Sequence, residues 1–525
     1  MKKIKRITAL TICAAMILTA GSCNNGGGRN TEQGTDTTTN AAATTTEDPN
    51  KDIDIVIDYE EMADIDAVDE SNEAGTGELW EAGKTAGTVH VLSWFDFVNI
   101  SPEKDIAEIF AERFGGTVET EIVGSLEVKN RLGVLMAAGQ APDLMRTDDE
   151  FFPGYFIQNR FTNLDGYLDM NSPVWSDLES IIEQYSYDGK HFYYPYAVTP
   201  SSYTVTYNAL ELEEIGAEDP MELYFAGEWT WDKMKEICLD WKASNPDKYP
   251  ISWPQSGAIQ LAATTGVPAI EFTGTEIKNN MKDPNIARAM EFVEGLKRDG
   301  CFWEGWHGPD GLDSWLGALF FVMPADWALP CGQEIFFKNQ LEGEIKTVPM
   351  PRDPNSDQYY LYGGTSGYLV PAGSDNVQGA AAYILASRIW ATDPDVVAAD
   401  REEKMYDGGY FYIKCPECKY KFESERDAED AVCPECNTPR KAKFKMVYTE
   451  EQQQVFDDML DTSKFSFIFD CHRGFGTDIK QYVFNVFDGP VVEDTSYTQL
   501  LAEYYNTIES GLDEYRADMA ENMAS

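Results

Sequence analysis

The sequence predicts an α/β fold with parallel sheets, divided into more than one structural unit. Strand-like and helix-like stretches alternate from residue 88 onward, 43% of the residues are hydrophobic, and the chain has 525 residues. Alternating strands and helices are typical of a parallel sheet covered by helices. A chain this long exceeds what one hydrophobic core supports, so roughly two to four domain-sized units are expected.

The first folded elements are predicted between residues 88 and 147. TVHVLSW at 88–94 reads as a strand, and apolar residues recur at helical spacing in 105–114. A second strand at 118–123 and a second helix capped by Ser125 follow. This alternation predicts the beginning of a parallel sheet.

The segment 135–168 is the centre of this region. Gly139 can end a helix in the left-handed conformation, and Pro142 forces the preceding residue to be extended. A short strand at Leu144–Met145 then runs into Asp148 and Asp149. Since open parallel sheets bind ligands at the carboxyl ends of their strands, we expect these two carboxylates at a ligand site.

The later elements follow the same alternation. The sequence predicts strands at 202–208, 249–253, 345–351 and 359–371, a helix-to-strand segment at 313–329, and helices beginning near Trp231, at 284–300, at 379–391 and within 450–521.

The charge balance excludes some partners. The chain has 41 Lys and Arg against 90 Asp and Glu, a net charge of −49. Such a field repels nucleic acids and anionic membrane surfaces. It also disfavours polyanionic ligands unless a local arginine, such as Arg146, Arg160 or Arg473, overrides it; solubility alone is the other interpretation of the charge.

The amino terminus reads as an export signal. Basic residues at 2–6 precede an apolar run at 7–18 that is too short to span a bilayer, and small residues at 20–22 precede Cys23. This order resembles a bacterial lipobox and implies cleavage before Cys23 and a lipid on its sulfur, although Ala20 stands where the pattern prefers Leu. Ordinary secretion is the alternative. Residues 24–87 lack hydrophobic periodicity and are expected to form a disordered, acidic tether.

Two CPEC motifs form a C-x2-C-x14-C-x2-C array of Cys415, Cys418, Cys433 and Cys436. Each motif can present two thiolates from one tight turn, and four thiolates together suit tetrahedral zinc. The array resembles a zinc ribbon, with iron in a rubredoxin-like site or two disulfides as alternatives. Four protein ligands make a closed, structural site, and residues 419–432 are expected to include a short hairpin. Cys238, Cys301, Cys331 and Cys471 are expected to stay reduced.

Enzyme motifs are mostly missing from the sequence. The four histidines show no HExxH spacing, and there is no GxSxG elbow, Walker loop or GxGxxG motif. Paired carboxylates suffice for a glycosidase, but ninety acidic residues supply such pairs by chance. We therefore predict a binding protein without catalytic cofactor.

Aromatic and acidic residues recur at the inferred strand ends. Aromatic faces give contact area at low entropic cost and carboxylates accept hydrogen bonds from hydroxyls, which suits a sugar. For each aromatic residue, core packing is the competing interpretation. The predicted ligand-binding residues are Trp94, Asp96, Phe97, Asp148, Asp149, Tyr193, Tyr196, Trp253 and Trp327.

Several phrases resemble the extracellular solute-binding proteins of ABC importers, family 1 type: AAGQAPD at 137–143, LDGYL at 164–168, DGKHFYYP at 188–195 and WTWD at 229–232. The resemblance implies a two-lobed, periplasmic-binding-protein-like (Venus flytrap) fold with parallel-sheet lobes and hinge crossings. It also implies an extracytoplasmic monomer, lipid-anchored to the membrane through Cys23, that binds a carbohydrate and delivers it to ABC permease subunits. A surface-anchored carbohydrate-active hydrolase and a non-transport sensor or adhesion protein remain alternatives.

The resemblance also implies a division of the chain. The expected units are a signal peptide at 1–22, a tether at 23–87, a first lobe from 88–198 and 313–358, a second lobe from 199–312 and 359–525, and a zinc-ribbon-like insert at 413–440 within the second lobe.

Overall fold

The computed structural model describes residues 86–99, 102–147, 149–199, 203–253, 256–303, 312–394, 398, 410–415, 417–425, 432–438, 449–493 and 495–524. The expected signal peptide and nearly all of the expected tether lie outside these ranges. No helix in the ranges just given combines the length and apolarity needed to cross a bilayer.

The strands in chain order are Thr88–Ser93 (β1), Thr117–Ile122 (β2), Leu144–Thr147 (β3), Ser186–Tyr187 (β4), Lys190–His191 (β5), Tyr193–Thr199 (β6), Tyr203–Asn208 (β7), Ile251–Ser252 (β8), Ile270–Phe272 (β9), Ile277–Asn279 (β10), Phe320–Pro324 (β11), Ile345–Pro349 (β12), Tyr359–Tyr362 (β13), Gly364–Leu369 (β14), Tyr410–Lys414 (β15), Lys421–Glu425 (β16) and Phe465–Ile468 (β17).

The α-helices in chain order are Glu103–Phe114 (α1), Val128–Ala137 (α2), Gly154–Ile157 (α3), Glu179–Gln184 (α4), Ala209–Ile215 (α5), Pro220–Phe225 (α6), Trp231–Ser244 (α7), Gly257–Ala263 (α8), Pro284–Arg298 (α9), Leu312–Gly317 (α10), Ala325–Lys338 (α11), Val377–Thr392 (α12), Glu450–Leu460 (α13), Thr477–Val492 (α14) and Tyr497–Ala524 (α15). Short 3-10 turns occupy Ser125–Glu127, Asp149–Phe151, Pro173–Leu178 and Cys471–Phe475.

Local sequence explains several of these boundaries. Thr230 caps α7, because its side chain accepts a hydrogen bond from the Lys233 N–H at 3.5 Å. Gly139 follows α2 with φ of +67°, the left-handed conformation predicted for it. The helix expected to be capped by Ser125 instead begins at Val128, after a 3-10 turn.

The first sheet has the strand order β2-β1-β3-β14-β6. β1 pairs in parallel with both β2 and β3, as predicted for these three strands, whereas β14 runs antiparallel to both β3 and β6. Its inward side chains, including Val89 and Val91, are buried. Helices α1 and α12 pack together, with the Phe110 and Tyr383 rings 5.4 Å apart.

The second sheet has the strand order β12-β7-β11-β8. This sheet is also mixed rather than purely parallel, because β7 runs antiparallel to both of its neighbours while β11 and β8 are parallel. Helix α11 packs against β7, β11 and β12. The two sheets therefore build two α/β lobes.

The chain passes between the lobes at two places where the structure describes both flanking strands. β6 belongs to the first sheet and the next strand, β7, to the second. The chain returns from β12 through β13 to β14, and β13 pairs in parallel with β17 in a separate small sheet.

The expected lobe boundaries require two corrections. Strands β11 and β12 lie in 313–358, a segment expected in the first lobe, yet both pair with β7 of the second sheet. Strand β14 was expected in the second lobe but pairs with β3 and β6 of the first, and α12 follows it there. The physical reason is that strand patterns identify strands, whereas long-range pairing decides which sheet each one joins.

The C-terminal elements contact both lobes. In α15, the Asn522 side chain donates to the Ile157 carbonyl of the first lobe, and the Arg516 Nε donates to the Ile277 carbonyl of the second at 3.1 Å. The turn Cys471–Phe475 lies directly against α3, where a Cβ added to Gly154 would lie 2.4 Å from the Gly474 carbonyl oxygen. The two backbones lie so close that the methyl group of an alanine would not fit in place of the Gly154 hydrogen.

Candidate functional site

The candidate ligand site lies where β1 and β3 end beside the crossing from β6 to β7. Both strands end at the same edge of the first sheet, because they are parallel and paired. Trp94 and Phe95 follow β1, are partly buried, and meet edge to face with ring centroids 5.5 Å apart. The Asp96 carboxylate accepts hydrogen bonds from the Asn99 side-chain amide at 3.0 and 2.9 Å. An aromatic surface beside a carboxylate can stack on a ligand and accept its hydroxyl hydrogens.

Arg146 of β3 packs against the Phe95 ring of this aromatic pair. Its Nη1 lies 2.6 Å from Glu103 Oε1, and its Nη2 donates to the Tyr196 hydroxyl at 3.2 Å. The guanidinium lies 5.3 Å from the centre of the Phe95 ring, a cation–π distance. Burial raises the pKa of Glu103 to about 7, although Arg146 opposes the rise. Arg146 is therefore held by the protein, which leaves Trp94 and Phe95 as the exposed part of the cluster.

A second polar cluster lies on the second lobe, at the end of β8. Trp253 is buried with its ring edge-on to Phe302 at 5.3 Å. The Ser256 N–H donates to Asp488 Oδ2 at 2.8 Å. Burial, with Asp488 as the next cause, raises the pKa of Tyr203 at the start of β7 to about 12. The cluster therefore lies near the point where the chain enters the second sheet.

An ion-pair cluster connects the first lobe to the C-terminal elements. Glu150, just after β3, pairs with Lys129 at 3.3 Å, Arg473 at 2.7 Å and Lys480 at 2.5 Å. Burial alone would raise the pKa of Glu150, but the three cations hold it well below its usual range. These ion pairs thus join the end of β3 to the C-terminal elements.

Six of the nine predicted ligand-binding residues have side chains that the structure describes, and these six divide into three groups. Trp94 and Asp96 lie together at the partly exposed end of β1. Phe97 and Tyr193 are 0% and 1% exposed, so their prediction as cleft residues is corrected: Phe97 packs against Tyr368 and Tyr383 in the core. Tyr196 and Trp253 are also buried: the Tyr196 hydroxyl accepts a hydrogen bond from Arg146, and the Trp253 ring packs against Phe302.

The other three predicted ligand-binding residues have side chains that the structure does not describe. Asp148 lies outside the described residues, as do the side chains of Asp149 and Trp327. The backbone places Trp327 in the first turn of α11, directly after β11, as the sequence predicts. Their contact with a ligand stays a prediction.

Two further residues of the site are only weakly indicated by the sequence. Arg146 is a charged residue inside the short apolar strand β3, and Asp488 stands between apolar residues of α14. Each pattern indicates a buried charge, but neither reveals which distant residues approach it.

The four cysteines of the CPEC motifs converge. The Sγ atoms of Cys415 and Cys436 are 3.6 Å apart, those of Cys418 and Cys433 are 3.5 Å apart, and all four lie within 4.8 Å of one another. Tetrahedral zinc with bonds of about 2.3 Å sets sulfurs roughly 3.8 Å apart, whereas a disulfide bond is about 2.05 Å long. The described cysteines form no disulfide. The cluster therefore fits a metal ion.

The two cysteine turns repeat one backbone pattern. The Cys415 N–H donates to the Tyr420 carbonyl at 2.8 Å, and the Cys433 N–H donates to the Thr438 carbonyl at 2.9 Å. The expected hairpin differs in detail, because β16 pairs antiparallel with β15, upstream of Cys415, rather than within 419–432. The insert touches the second lobe through Gln340, whose side chain exchanges two hydrogen bonds of 2.8 Å with the Lys421 backbone.

Comparison with known proteins identifies the family. The model of the bacterial extracellular solute-binding proteins matches residues 105–402, more than half of the chain. The chain belongs to this family. Membership implies an extracytoplasmic location and a solute-binding role. A search of curated proteins finds no match.

Solved structures of substrate-binding proteins share this family's two-lobed fold. An ABC substrate-binding protein from Listeria monocytogenes in complex with cycloalternan is 14% identical, with a TM-score of 0.53 over 83% of this chain and 99% of that one. The sugar-binding protein MalE from Xanthomonas citri is 14% identical, with a TM-score of 0.55 over 83% and 98%. UgpB from Mycobacterium tuberculosis, in complex with glycerophosphocholine, is 13% identical, with a TM-score of 0.54 over 82% and 99%. These similarities establish the fold.

Proposed function

We propose that the protein is the solute-binding lipoprotein of an ABC importer and that its solute is a carbohydrate, most simply an oligosaccharide. The observation that carries the proposal is the partly exposed Trp94–Phe95 pair beside the Asp96 carboxylate. Aromatic rings stack on the apolar faces of sugars, and a carboxylate accepts hydrogen bonds from their hydroxyls. The sugar-binding proteins among the structural neighbours support this choice.

The mechanism of the proposed importer protein is closure of two lobes on a ligand. Contacts from both lobes favour the closed state only when a ligand bridges them. The crossings from β6 to β7 and from β13 to β14 are the hinge positions. The closed, loaded form then delivers the solute to a membrane permease, without a chemical step.

The anchor of the proposed lipoprotein is a lipid on Cys23. The basic residues, short apolar run and small residues before Cys23 support it. Replacing Cys23 with Ala should release the protein from the membrane fraction of expressing cells, while a protein that remains membrane-bound would contradict this anchor.

We assign a structural zinc ion to Cys415, Cys418, Cys433 and Cys436. The sulfur separations and the repeated backbone turns support a tetrahedral thiolate site. The ion would hold the two turns together, and it lies in the insert rather than among the aromatic residues of the crevice. A role in ligand chemistry is therefore not assigned to it.

A thermal-shift screen tests the carbohydrate proposal. A ligand that binds only the folded form raises the melting temperature. Maltotetraose and β-1,6-galactobiose should raise it, whereas glycerophosphocholine, free amino acids and polyamines should not. Stabilisation by one of the latter alone would replace the proposed solute class. Release of shorter sugars during incubation would favour the hydrolase instead.

A further inference from the structure

Two polar atoms of the second-lobe cluster are buried without a hydrogen-bond partner. Trp253 is 3% exposed and Asp488 is 7% exposed. Among the residues that the structure describes, neither the Trp253 Nε1 nor the Asp488 Oδ1 has such a partner. Folded proteins pair nearly all buried polar atoms, so an unpaired donor and an unpaired acceptor in one place call for a function.

Both atoms border the same turn. Asp488 Oδ2 binds the Ser256 N–H at 2.8 Å, and a Cβ added to Gly257 would lie 1.7 Å from Trp253 Nε1. Ser256 itself has a backbone φ of +79°, in the left-handed region that residues other than glycine rarely adopt. Such strain persists only where surrounding contacts impose it, and it concentrates at ligand sites.

The turn lies near the passage between the lobes. Trp253 directly follows β8 in the second sheet, and Tyr203 begins β7 immediately after the crossing. The Tyr203 N–H donates to the Gln260 side-chain oxygen at 3.4 Å, and Gln260 belongs to α8, the helix that begins at Gly257. The turn that carries the unpaired atoms is therefore joined to the start of β7, where the chain enters the second lobe.

We infer that Trp253 and Asp488 form a subsite that receives one hydroxyl group of the carbohydrate, a conclusion that rests on the proposed function. The indole N–H donates to the hydroxyl oxygen, and the free carboxylate oxygen accepts the hydroxyl hydrogen. A hydroxyl group satisfies both atoms at once because it donates and accepts. An ammonium group offers the indole no acceptor, and a ligand carboxylate is repelled by Asp488. Both side chains are buried in this conformation, so the subsite requires that the proposed opening of the lobes exposes them.

Affinity measurements on the full chain test this subsite. Calorimetric titration at pH 8, where Asp488 is ionised, with maltotetraose and with β-1,6-galactobiose compares the unmodified protein with Trp253→Phe and Asp488→Asn. Phenylalanine keeps an aromatic ring beside Gly257 but removes the N–H. Asparagine keeps an oxygen for the Ser256 N–H and turns an NH2 donor toward the ligand. Each change should weaken binding about tenfold, the effect of losing one hydrogen bond.

Trp175→Phe is the matched control. The Trp175 Nε1 is also buried without a hydrogen-bond partner among the described residues, but its ring lies in the first lobe, 5.3 Å from the Arg388 guanidinium. This variant should bind the sugars as the unmodified protein does. Melting curves without ligand show whether each variant is folded at the titration temperature.

The outcomes separate this subsite from the proposed function. If the unmodified protein binds neither sugar, the carbohydrate proposal fails and the subsite fails with it. If it binds and the folded Trp253→Phe and Asp488→Asn variants bind equally well, only the subsite is wrong. Equal loss in Trp175→Phe would also overturn the subsite, because the effect would then be general to tryptophan replacement.

Discussion

At the residue scale, neighbouring aromatic side chains in one loop have different roles. Trp94 and Phe97 are three positions apart, yet Trp94 is partly exposed while Phe97 is fully buried against Tyr368 and Tyr383. The sequence shows aromatic residues after a strand but not which of them turns inward. That choice depends on β14 and α12, which lie more than two hundred residues further along the chain.

Replacing Trp94 should mainly weaken ligand binding, whereas replacing Phe97 should mainly lower the stability of the fold. Trp94→Ala is expected to abolish most carbohydrate-induced stabilisation with little change in the melting temperature of the free protein. Phe97→Ala removes a buried ring and should cost about 3–5 kcal/mol of unfolding free energy. Urea unfolding and ligand titration measure the two effects, and a large loss of stability in Trp94→Ala would contradict its assignment to the crevice.

Asp488 should make stability depend on pH. Burial raises its pKa to about 7, although the Ser256 and Ala258 N–H groups oppose the rise. An unfolded aspartate titrates near pH 4, at about 3.9. Between these values the folded state holds a proton that the unfolded state has lost, so the contribution of Asp488 to stability falls as the pH rises from about 4 to about 7.

Asp488→Asn removes this titration and tests it. The melting temperature of the variant, relative to the unmodified protein, should be higher at pH 8 than at pH 4.5. Glu119→Gln, a change at a side chain that is 71% exposed, serves as the control and should show no such trend. A constant difference for Asp488→Asn at both pH values would contradict the prediction.

At the scale of elements, helices and strands with strong local patterns were predictable. The Pro284–Arg298 helix, capped by Asp283 and buried along Ile286, Met290 and Val293, matches the expected 284–300 helix closely. Elements defined by distant contacts were harder to predict. The hairpin strand β15 lies upstream of the first CPEC motif, where no cysteine spacing marks it.

The Glu150 cluster should stabilise the contact between the first lobe and the C-terminal elements. Glu150→Gln leaves three cations without their shared partner and should cost about 1–3 kcal/mol of unfolding free energy at pH 7. Because the pKa of Glu150 is depressed, its contribution is present above an ordinary glutamate pKa of about 4.3 and is lost as the pH falls.

Urea titration at several pH values measures this contribution. Glu119→Gln is again the comparison, since Glu119 pairs with His90 at an exposed site and should change stability by less than about 0.5 kcal/mol. Equal losses of unfolding free energy in the two variants would contradict the predicted stabilisation by the Glu150 cluster.

The insert should contain one metal ion per chain. Elemental analysis is expected to find zinc, and a strong chelator should increase hydrogen exchange in 410–438 while the two large sheets stay protected. Cys415→Ser should remove the metal, and Cys331→Ala, outside the cluster, should keep it. Full metal content in Cys415→Ser would contradict the four-thiolate site.

At the scale of the whole molecule, the family phrases predicted the two-lobed fold, and the similarity to solved substrate-binding proteins confirms it. The assignment of segments to lobes was not predictable from local pattern. Strands β11, β12 and β14 each look like any buried strand, and only pairing across more than one hundred residues places them. The same limit applies to Asp488, which contacts the turn next to Trp253 from 232 residues further along the chain.

Closure of the lobes should be measurable in solution. Small-angle scattering with saturating maltotetraose or β-1,6-galactobiose is expected to show a smaller radius of gyration than the free protein, without new products. The Trp94→Ala variant supplies the control, because it should not compact under the same conditions. Binding by the unmodified protein with no change in the radius would contradict a mechanism based on closure.

The contact between Gly154 and Gly474 limits how the molecule can move. Two backbones that touch with no space for a methyl group cannot slide past one another without clashing. The proposed opening of the lobes would therefore rotate about an axis near this point, because such a rotation displaces the two backbones least. Residues far from the axis would then move furthest, so a small angle would widen the entrance to the proposed ligand site.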